Sequence, residues 1–208
     1  MKKGIKINIK RICFVLLFLL ALGVGSVCAY AYSMISMTWY SDAYKVGYWA
    51  DSPKVFFTNL TSSFNISSYV NTGVSRWNSA GVTSSITTSY SNANILFYGG
   101  TRSQLNSYGF IYDSNTAGYT TWDSTTMMGY ANNSSLLKVY RLNSTKASMC
   151  YEASGQYTHL GVHEYGHALG WYGHTGYSSD VMYGTANYVT VLSNRDKNQL
   201  VQVYNAMN

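Results

Sequence analysis

Residues His163 to His174 read HEYGHALGWYGH. His163 and His167 are four positions apart, and residues at that spacing share one face of an α-helix, so both imidazoles can reach one ion from the same side. Zinc binds neutral imidazole nitrogen readily, and a catalytic zinc site uses three protein ligands with a fourth position left for water. Gly170 can end the helix, because glycine adopts left-handed backbone angles at little energetic cost. The chain can then turn back and bring His174 to the ion as a third ligand.

Glu164 directly follows the first of these histidines and is the candidate catalytic residue. A carboxylate on the open side of a bound zinc can take a proton from the water there. The alternative is that these are ordinary helix residues, because a bare HExxH occurs by chance. That alternative fits poorly, since the chain has four histidines in all and every one lies between His159 and His174. His159 is one turn before His163, and we interpret it as a neighbour of the site or a surface residue, because three ligands are already present.

The same segment resembles the metzincin metallopeptidase signature, HExxHxxGxxH followed by a Met-turn. The stretch SSDVMYG, Ser178 to Gly184, supplies a similar turn that contains Met182. The spacing between His174 and Met182 is most similar to the matrixin branch, as is the pair Met182–Tyr183. The later stretch LSNRDKNQLVQVY also resembles the final matrixin helix. The resemblance implies that Met182 packs beneath the ligands without bonding to the metal. Tyr183 is a candidate lining residue of the substrate pocket, with a buried structural tyrosine as the alternative.

Two features depart from the matrixin pattern. In that family the third histidine comes three residues after the glycine, whereas His174 comes four after Gly170. Gly173 can absorb the extra residue in a bulged turn, and Asp180 is the reserve candidate for the third ligand. Matrixins also carry a structural zinc bound largely by histidines, and this chain has no further histidine for such a site. We therefore expect a single catalytic Zn²⁺.

Calcium is the other metal to consider. The stretch Asp113-Ser114-Asn115 offers oxygen ligands, but no full ligand loop follows it. A solvated turn is the better interpretation, so the sequence gives calcium no support.

The first 29 residues have the order of a secretory signal peptide. Five cationic residues fall within the first 11 positions, an apolar run follows, and small residues then offer cleavage sites after position 29 or 31. The alternative is an uncleaved membrane anchor, which the short apolar run disfavours. The expected product is secreted, extracellular and without stable membrane association once the signal is cleaved.

Removal of this segment changes the charge and the cysteine content. Five of the 14 basic residues leave with residues 1–29, so nine basic residues remain against eight acidic ones and the net charge falls from +6 to +1. Nucleic acid is therefore not an expected partner. Two of the three cysteines leave as well, and Cys150 alone cannot form an internal disulfide.

The predicted fold class is α+β: one metzincin-like peptidase domain over residues 30–208, with a twisted mixed sheet, an active-site helix and a C-terminal helix. Helical spacing of apolar residues and flanking glycines predict helices over 66–80 and 156–170. Ser193 and Asp196 resemble the start of the final helix. Runs of β-branched and aromatic residues predict strands, and a stretch dense in Gly, Asn, Ser and Tyr predicts a loop. The strands are 54–58, 82–90, 94–98, 125–131 and 136–142, and the loop is 99–123.

These features together predict a secreted zinc endopeptidase that acts on protein or peptide substrates as a monomer. His163, His167 and His174 would hold the zinc, and Glu164 would be the general base for attack of water on the peptide bond. The alternative is a catalytically weak, secreted zinc-containing binding module. The irregular spacing of His174 and the many tyrosines favour it. Glu164 argues against it, because a purely structural zinc site needs no carboxylate base.

Overall fold

The computed structural model describes residues 33–132, 136–185 and 187–208. Within them the chain forms a mixed sheet of seven strands and four α-helices. The strands are β1 (Ser33–Ser36), β2 (Lys45–Tyr48), β3 (Lys54–Asn59), β4 (Ser85–Ile86), β5 (Ile95–Gly100), β6 (Gly118–Asn132) and β7 (Leu137–Cys150). The helices are α1 (Ser67–Ser79), α2 (Arg102–Ser107), α3 (Tyr157–Leu169) and α4 (Asn194–Met207).

The sheet is built around β7. Its first half pairs in parallel with β2, its second half pairs in parallel with β5, and β6 runs antiparallel to it along nearly its whole length. On the far side of β5 lie β3 and then β4, both parallel, and β1 pairs with β6. Residues 34–208 form one compact unit. The predicted α+β class with a mixed sheet is confirmed.

Two glycines let α1 and α3 pack at close range. A methyl group at Gly73 would overlap the carbonyl oxygen of Gly161, and one at Gly161 would overlap the carbonyl of Tyr69. The indole of Trp77 is fully buried between the helices and donates a hydrogen bond to the carbonyl oxygen of Val162 at 2.9 Å. This packing fixes α3, which carries the first two histidines, against the core.

The end of α3 is tied to the start and the end of the domain. The amide of Gly47 in β2 donates to the carbonyl oxygen of Gly170 at 2.8 Å. From α4, the Tyr204 hydroxyl donates to the carbonyl oxygen of Leu169 at 2.7 Å. Both contacts fall within three residues of His167, so they fix the direction in which the chain leaves the helix.

The helical predictions for 66–80, 156–170 and the segment after Ser193 are confirmed. Ser193 and Asp196 form a reciprocal capping box at the start of α4, whose buried side chains include Leu200, Val203 and Tyr204. The strands predicted at 54–58 and 94–98 are present as β3 and β5.

Four predictions about the middle of the chain are wrong in extent. The segment 99–123 is not all loop, because Thr101 and Gln104 form a capping box that starts α2, and β6 begins at Gly118. Little of 82–90 is strand, since both backbone groups of Ser84 bond to the side chain of Asn78 instead of to a neighbouring strand. The strands expected at 125–131 and 136–142 extend to 15 and 14 residues, because each pairs with the other well beyond its apolar part.

The predicted signal peptide, residues 1–29, lies outside the described residues and stays a prediction. Within the described part of the chain, no helix combines the length and apolar character needed to cross a membrane.

Candidate metal centre

His163, His167 and His174 meet at one point of the structure. Each can offer a ring nitrogen, and the three nitrogens lie within 4.8 Å of one another. His163 and His167 come from successive turns of α3, and His174 comes from the loop that follows it. The His163 side chain is buried, and the other two are partly buried. Among the described residues this is the single group of His, Cys, Asp and Glu side chains with such a geometry.

Hydrogen bonds orient the two helix imidazoles for metal binding. Nδ1 of His163 lies 2.7 Å from the carbonyl oxygen of Val181, and Nδ1 of His167 lies 2.7 Å from that of Trp171. Because a carbonyl can only accept, each Nδ1 carries the hydrogen and each Nε2 presents its lone pair.

The two Nε2 atoms are 3.0 Å apart, so two lone pairs face each other. Burial, together with the neighbouring histidines, lowers the pKa of His167 to about 3 and that of His163 well below its usual value. Protonation of one ring, which would place a hydrogen bond between the two Nε2 atoms, is therefore unfavourable. Tetrahedral zinc with bonds of 2.0–2.1 Å to nitrogen separates its ligands by roughly 3.3 Å, so this donor set fits a divalent cation.

The loop from Gly170 to His174 is shaped by its glycines and by one acidic residue. Gly170 has φ of +126° and Gly173 has φ of +72°, so Gly173 absorbs the extra residue in a left-handed conformation. Asp42 holds this loop conformation through two hydrogen bonds to His174. Its Oδ1 accepts from the amide of His174 at 2.8 Å, and its own amide donates to the His174 carbonyl oxygen at 3.0 Å. No local sequence signal points to Asp42, which precedes His174 by 132 residues.

The reserve ligand, Asp180, does not join the cluster. Its side chain is fully buried, and Arg195 binds both carboxylate oxygens, with Nε–Oδ2 at 2.8 Å and Nη2–Oδ1 at 2.7 Å. Thr175 donates a further hydrogen bond at 3.1 Å. Asp180 therefore braces the turn that follows the histidines, and His174 occupies the third position.

The turn Ser178–Gly184 packs against α3 and contacts His163. The Val181 carbonyl orients His163, and the buried Met182 side chain packs against Gly166 of α3, where a methyl group would overlap its sulfur. The carboxylate of Asp196 accepts from the amides of Val181 and Met182 at 3.0 and 3.2 Å. The cap of α4 thus also holds this turn, a second role that its sequence pattern does not reveal.

Glu164 is buried beside the triad against the start of β6. Its Oε2 accepts a hydrogen bond from Thr120 Oγ1 at 2.7 Å, and a methyl group at Gly118 would overlap its carboxylate. Burial raises the pKa of Glu164 to about 8, an effect that the Thr120 hydrogen bond partly offsets. Neither Gly118 nor Thr120 could be predicted as a site residue, because both fall in the stretch expected to be a loop.

Two clefts of about 310 Å³ each flank the triad, and both are bordered by Gly118, Glu164 and His174. The first also contains His159 and Tyr183, and Tyr183 is partly buried there. This position suits a pocket-lining residue, while its role stays a prediction. The predicted neighbour of the site, His159, is buried, with Nδ1 2.7 Å from the carbonyl oxygen of Val189, and stays outside the ligand group.

The second cleft is walled by aromatic side chains that the sequence did not single out. Trp122 donates from Nε1 to the carbonyl oxygen of His167 at 2.8 Å, and its ring meets that of Tyr172 edge to face at 4.9 Å. Both residues border this cleft together with Trp171. A sequence signal that marked the start of β6 at Gly118 could have placed Trp122 on a strand near the site.

Comparison with known proteins gives no assignment. No protein-family profile matches the sequence, and no curated protein matches it.

The contacts of Asp113 agree with the solvated turn that the sequence favours over a calcium site. Oδ1 of Asp113 accepts hydrogen bonds from Thr116 and from the amide of Asn115, each at 2.8 Å, which is the pattern of a local turn.

Proposed function

We propose that this protein is a secreted zinc-dependent endopeptidase of the matrixin type within the metzincins. The three histidines supply the ligand set, Glu164 the general base, and the turn at Met182 the support. The mixed sheet with the ligand-bearing helix α3 and the C-terminal helix α4 is consistent with this fold. The substrate class is protein or peptide.

The observation that carries the proposal is the environment of Glu164. Its carboxyl group is buried, and within the described residues it has no Lys or Arg partner, only the hydroxyl of Thr120. Burial of a carboxylate without a compensating charge is strongly unfavourable, so such a group is seldom retained for stability alone. A cation held by the adjacent histidines would offset that cost. A purely structural metal site has no use for this residue.

The chemistry divides between the metal and the chain. A zinc ion held by His163, His167 and His174 would supply Lewis acidity, which makes a water molecule acidic enough to lose a proton near neutral pH and polarises a carbonyl group. Glu164 accepts that proton at its carboxylate and delivers it to the leaving amine. Thr120 fixes the orientation of the carboxylate through Oε2, which leaves Oε1 for proton transfer.

The two clefts favour internal cleavage over removal of terminal residues. They share Gly118, Glu164 and His174 at their common border, so a peptide chain has room on both sides of the reacting bond. The proposal of secretion rests on the signal-peptide pattern of residues 1–29. The proposals that the protein is a monomer and does not bind nucleic acid rest on its composition and charge.

The variant Glu164→Gln tests the general base, because an amide of the same shape cannot accept the proton. We expect one zinc per chain by metal analysis in both proteins and unchanged circular dichroism. Hydrolysis of a denatured protein substrate should fall by at least ~10²-fold, the lower end of the contribution of a positioned acid–base group. The matched control is Glu152→Gln, which changes the other glutamate of the chain at an exposed position. Undiminished cleavage by Glu164→Gln would refute the mechanism.

A zinc-containing binding module is the second candidate, and one observation favours it. Among the described residues, seven tyrosines are exposed, and tyrosine is enriched at recognition surfaces. They are Tyr44, Tyr90, Tyr108, Tyr151, Tyr172, Tyr177 and Tyr188. Zinc-loaded protein that retains its metal but cleaves none of a panel of unfolded proteins, with or without a chelator, would favour this second function.

A further inference from the structure

Two lysines lie side by side on the exposed face of the sheet near the site. Lys45 of β2 and Lys138 of β7 are register partners in a parallel pair, so their side chains leave the same face of adjacent strands. Like charges placed opposite each other on neighbouring strands repel. No carboxylate of the described residues forms an ion pair with either one. The pair is therefore a local excess of positive charge that a bound anion would relieve.

Aromatic rings surround these lysines. Lys45 Nζ lies 3.7 Å from the centre of the Tyr172 ring and 5.6 Å from that of Trp122, both within the range of a cation–π contact. Both lysines border a groove of about 430 Å³, which we call the lysine groove. Its lining residues are Ala43, Tyr44, Lys45, Leu136, Lys138, Tyr140 and Tyr172.

The lysine groove continues the cleft that holds the candidate catalytic residues. Tyr172 borders both, and Trp122, which contacts the Tyr172 ring, donates its indole hydrogen bond to the backbone of His167. A chain that leaves Glu164 along this cleft therefore passes over Trp122 and Tyr172 and reaches the lysines.

We propose that the lysine groove binds an acidic segment of the polypeptide substrate, several residues from the cleaved bond. This inference rests on the proposed peptidase function and specifies its substrate preference. A substrate carboxylate would lie between the ammonium groups of Lys45 and Lys138, and its flanking apolar atoms would pack on Tyr172 and Tyr140. Continuity with the cleft favours a peptide over a free anion or a membrane surface.

The test uses peptides with one cleavable core, extended on either side by a segment that contains Glu, Gln or Lys. On one side of the core, wild-type protein should cleave the Glu peptide with a kcat/KM about three- to tenfold above that of the Gln peptide at low salt, as expected for solvent-exposed ion pairs. This ratio of kcat/KM between the Glu and Gln peptides should approach one in the double variant Lys45→Gln/Lys138→Gln. In the wild-type protein it should fall with added salt. The matched control, Lys54→Gln, removes the charge of an exposed lysine on β3 and should keep the wild-type ratio.

Binding separates this inference from the peptidase proposal. Fluorescence anisotropy of the same labelled peptides with zinc-loaded Glu164→Gln protein should show the Glu preference without turnover, and the two lysine changes should remove it. If no peptide is cleaved but this preference remains, the groove assignment holds and the peptidase proposal fails. Equal ratios in the wild-type and double-lysine proteins would overturn the groove assignment. Lysine-dependent sedimentation with anionic phospholipid vesicles, without any peptide preference, would also overturn it.

Discussion

Gly118 leaves room for the carboxylate of Glu164. The glycine opens β6, and a side chain there would occupy the space taken by Oε1. The overlapping atoms are the tip of a flexible side chain, so the carboxylate can move aside without disturbing the backbone. The position of the proposed general base thus depends on the absence of one methyl group.

We predict that Gly118→Ala lowers kcat about 10- to 100-fold, because an error of about 1 Å in the position of a catalytic group has effects of that size. Zinc content and the free energy of unfolding should change little, since the displaced carboxylate is not a ligand. Peptide hydrolysis, metal analysis and urea unfolding of the same samples check this.

The control for that variant is Gly176→Ala, where an added methyl group meets no atom within 4 Å. Full activity of Gly118→Ala, or loss of its zinc, would contradict the assigned position of Glu164.

For single residues, the sequence predicts the groups to which we assign the chemistry, and it does not predict the groups that position them. The spacing of the histidines is local, so one helix and one turn suffice to bring them together. Asp42, Gly118 and Thr120 act across tertiary contacts whose partners lie far away in the chain. Their residue types are ordinary for loops and strands, so no pattern distinguishes them.

The start of α4 and the turn Ser178–Gly184 form one hydrogen-bonded assembly. The buried carboxylate of Asp196 accepts from the amides of Val181, Met182 and Ser193, the last at 2.8 Å. Because the Val181 carbonyl in turn orients His163, a helix cap is linked to a candidate metal ligand through a single peptide unit.

We predict that Asp196→Asn lowers the free energy of unfolding by about 1–3 kcal/mol, because at least one buried amide then faces an NH₂ group instead of an acceptor. Zinc affinity should fall as well, since His163 loses a fixed Nδ1 partner. Urea unfolding and competition with a chromogenic chelator measure the two effects.

The comparison variant is Asp51→Asn, which makes the same change at an exposed site. An unchanged zinc affinity in Asp196→Asn would show that the turn keeps its position without this cap.

The sequence predicts helices where an apolar stripe coincides with an end signal: a glycine after α1 and after α3, and the capping box of α4. The sequence does not predict the short helix α2, although Thr101 and Gln104 carry a capping-box signal, because its single apolar residue, Leu105, gives no apolar periodicity. The lengths of β6 and β7 were underestimated for a related reason. Their Ser, Thr and Asn residues resemble a loop in composition, and pairing with neighbouring strands overrides that preference.

For the molecule as a whole, burial of Glu164 links folding to pH in the metal-free protein. A carboxyl whose pKa rises from 4.5 to about 8 on folding stabilises the native state fully below pH 4.5, and this contribution is lost as the pH rises through about 8. Metal-free wild-type protein should therefore lose stability relative to Glu164→Gln by roughly 1.4 kcal/mol per pH unit between these limits.

Urea unfolding of both proteins at pH 5 and pH 7, in the presence of a chelator, measures this difference. The histidines are common to both proteins, so their titration largely cancels. Added zinc should shrink the difference, because a nearby cation lowers the pKa of the carboxyl group. A difference between the two proteins that does not vary with pH would contradict the burial of Glu164 in the folded state.

Asp42 and Asp196 also set the moment during protein synthesis at which the site is complete. The ribosome makes the residue that holds the His174 loop early and the residue that holds the Met182 turn more than a hundred positions later. A nascent chain that has just exposed its HExxH helix still lacks the cap of α4, and a product of premature termination never acquires it. A chain that ends before α4 therefore lacks the carboxylate that holds the Met182 turn, so the proposed peptidase site is complete only after Asp196 has been made.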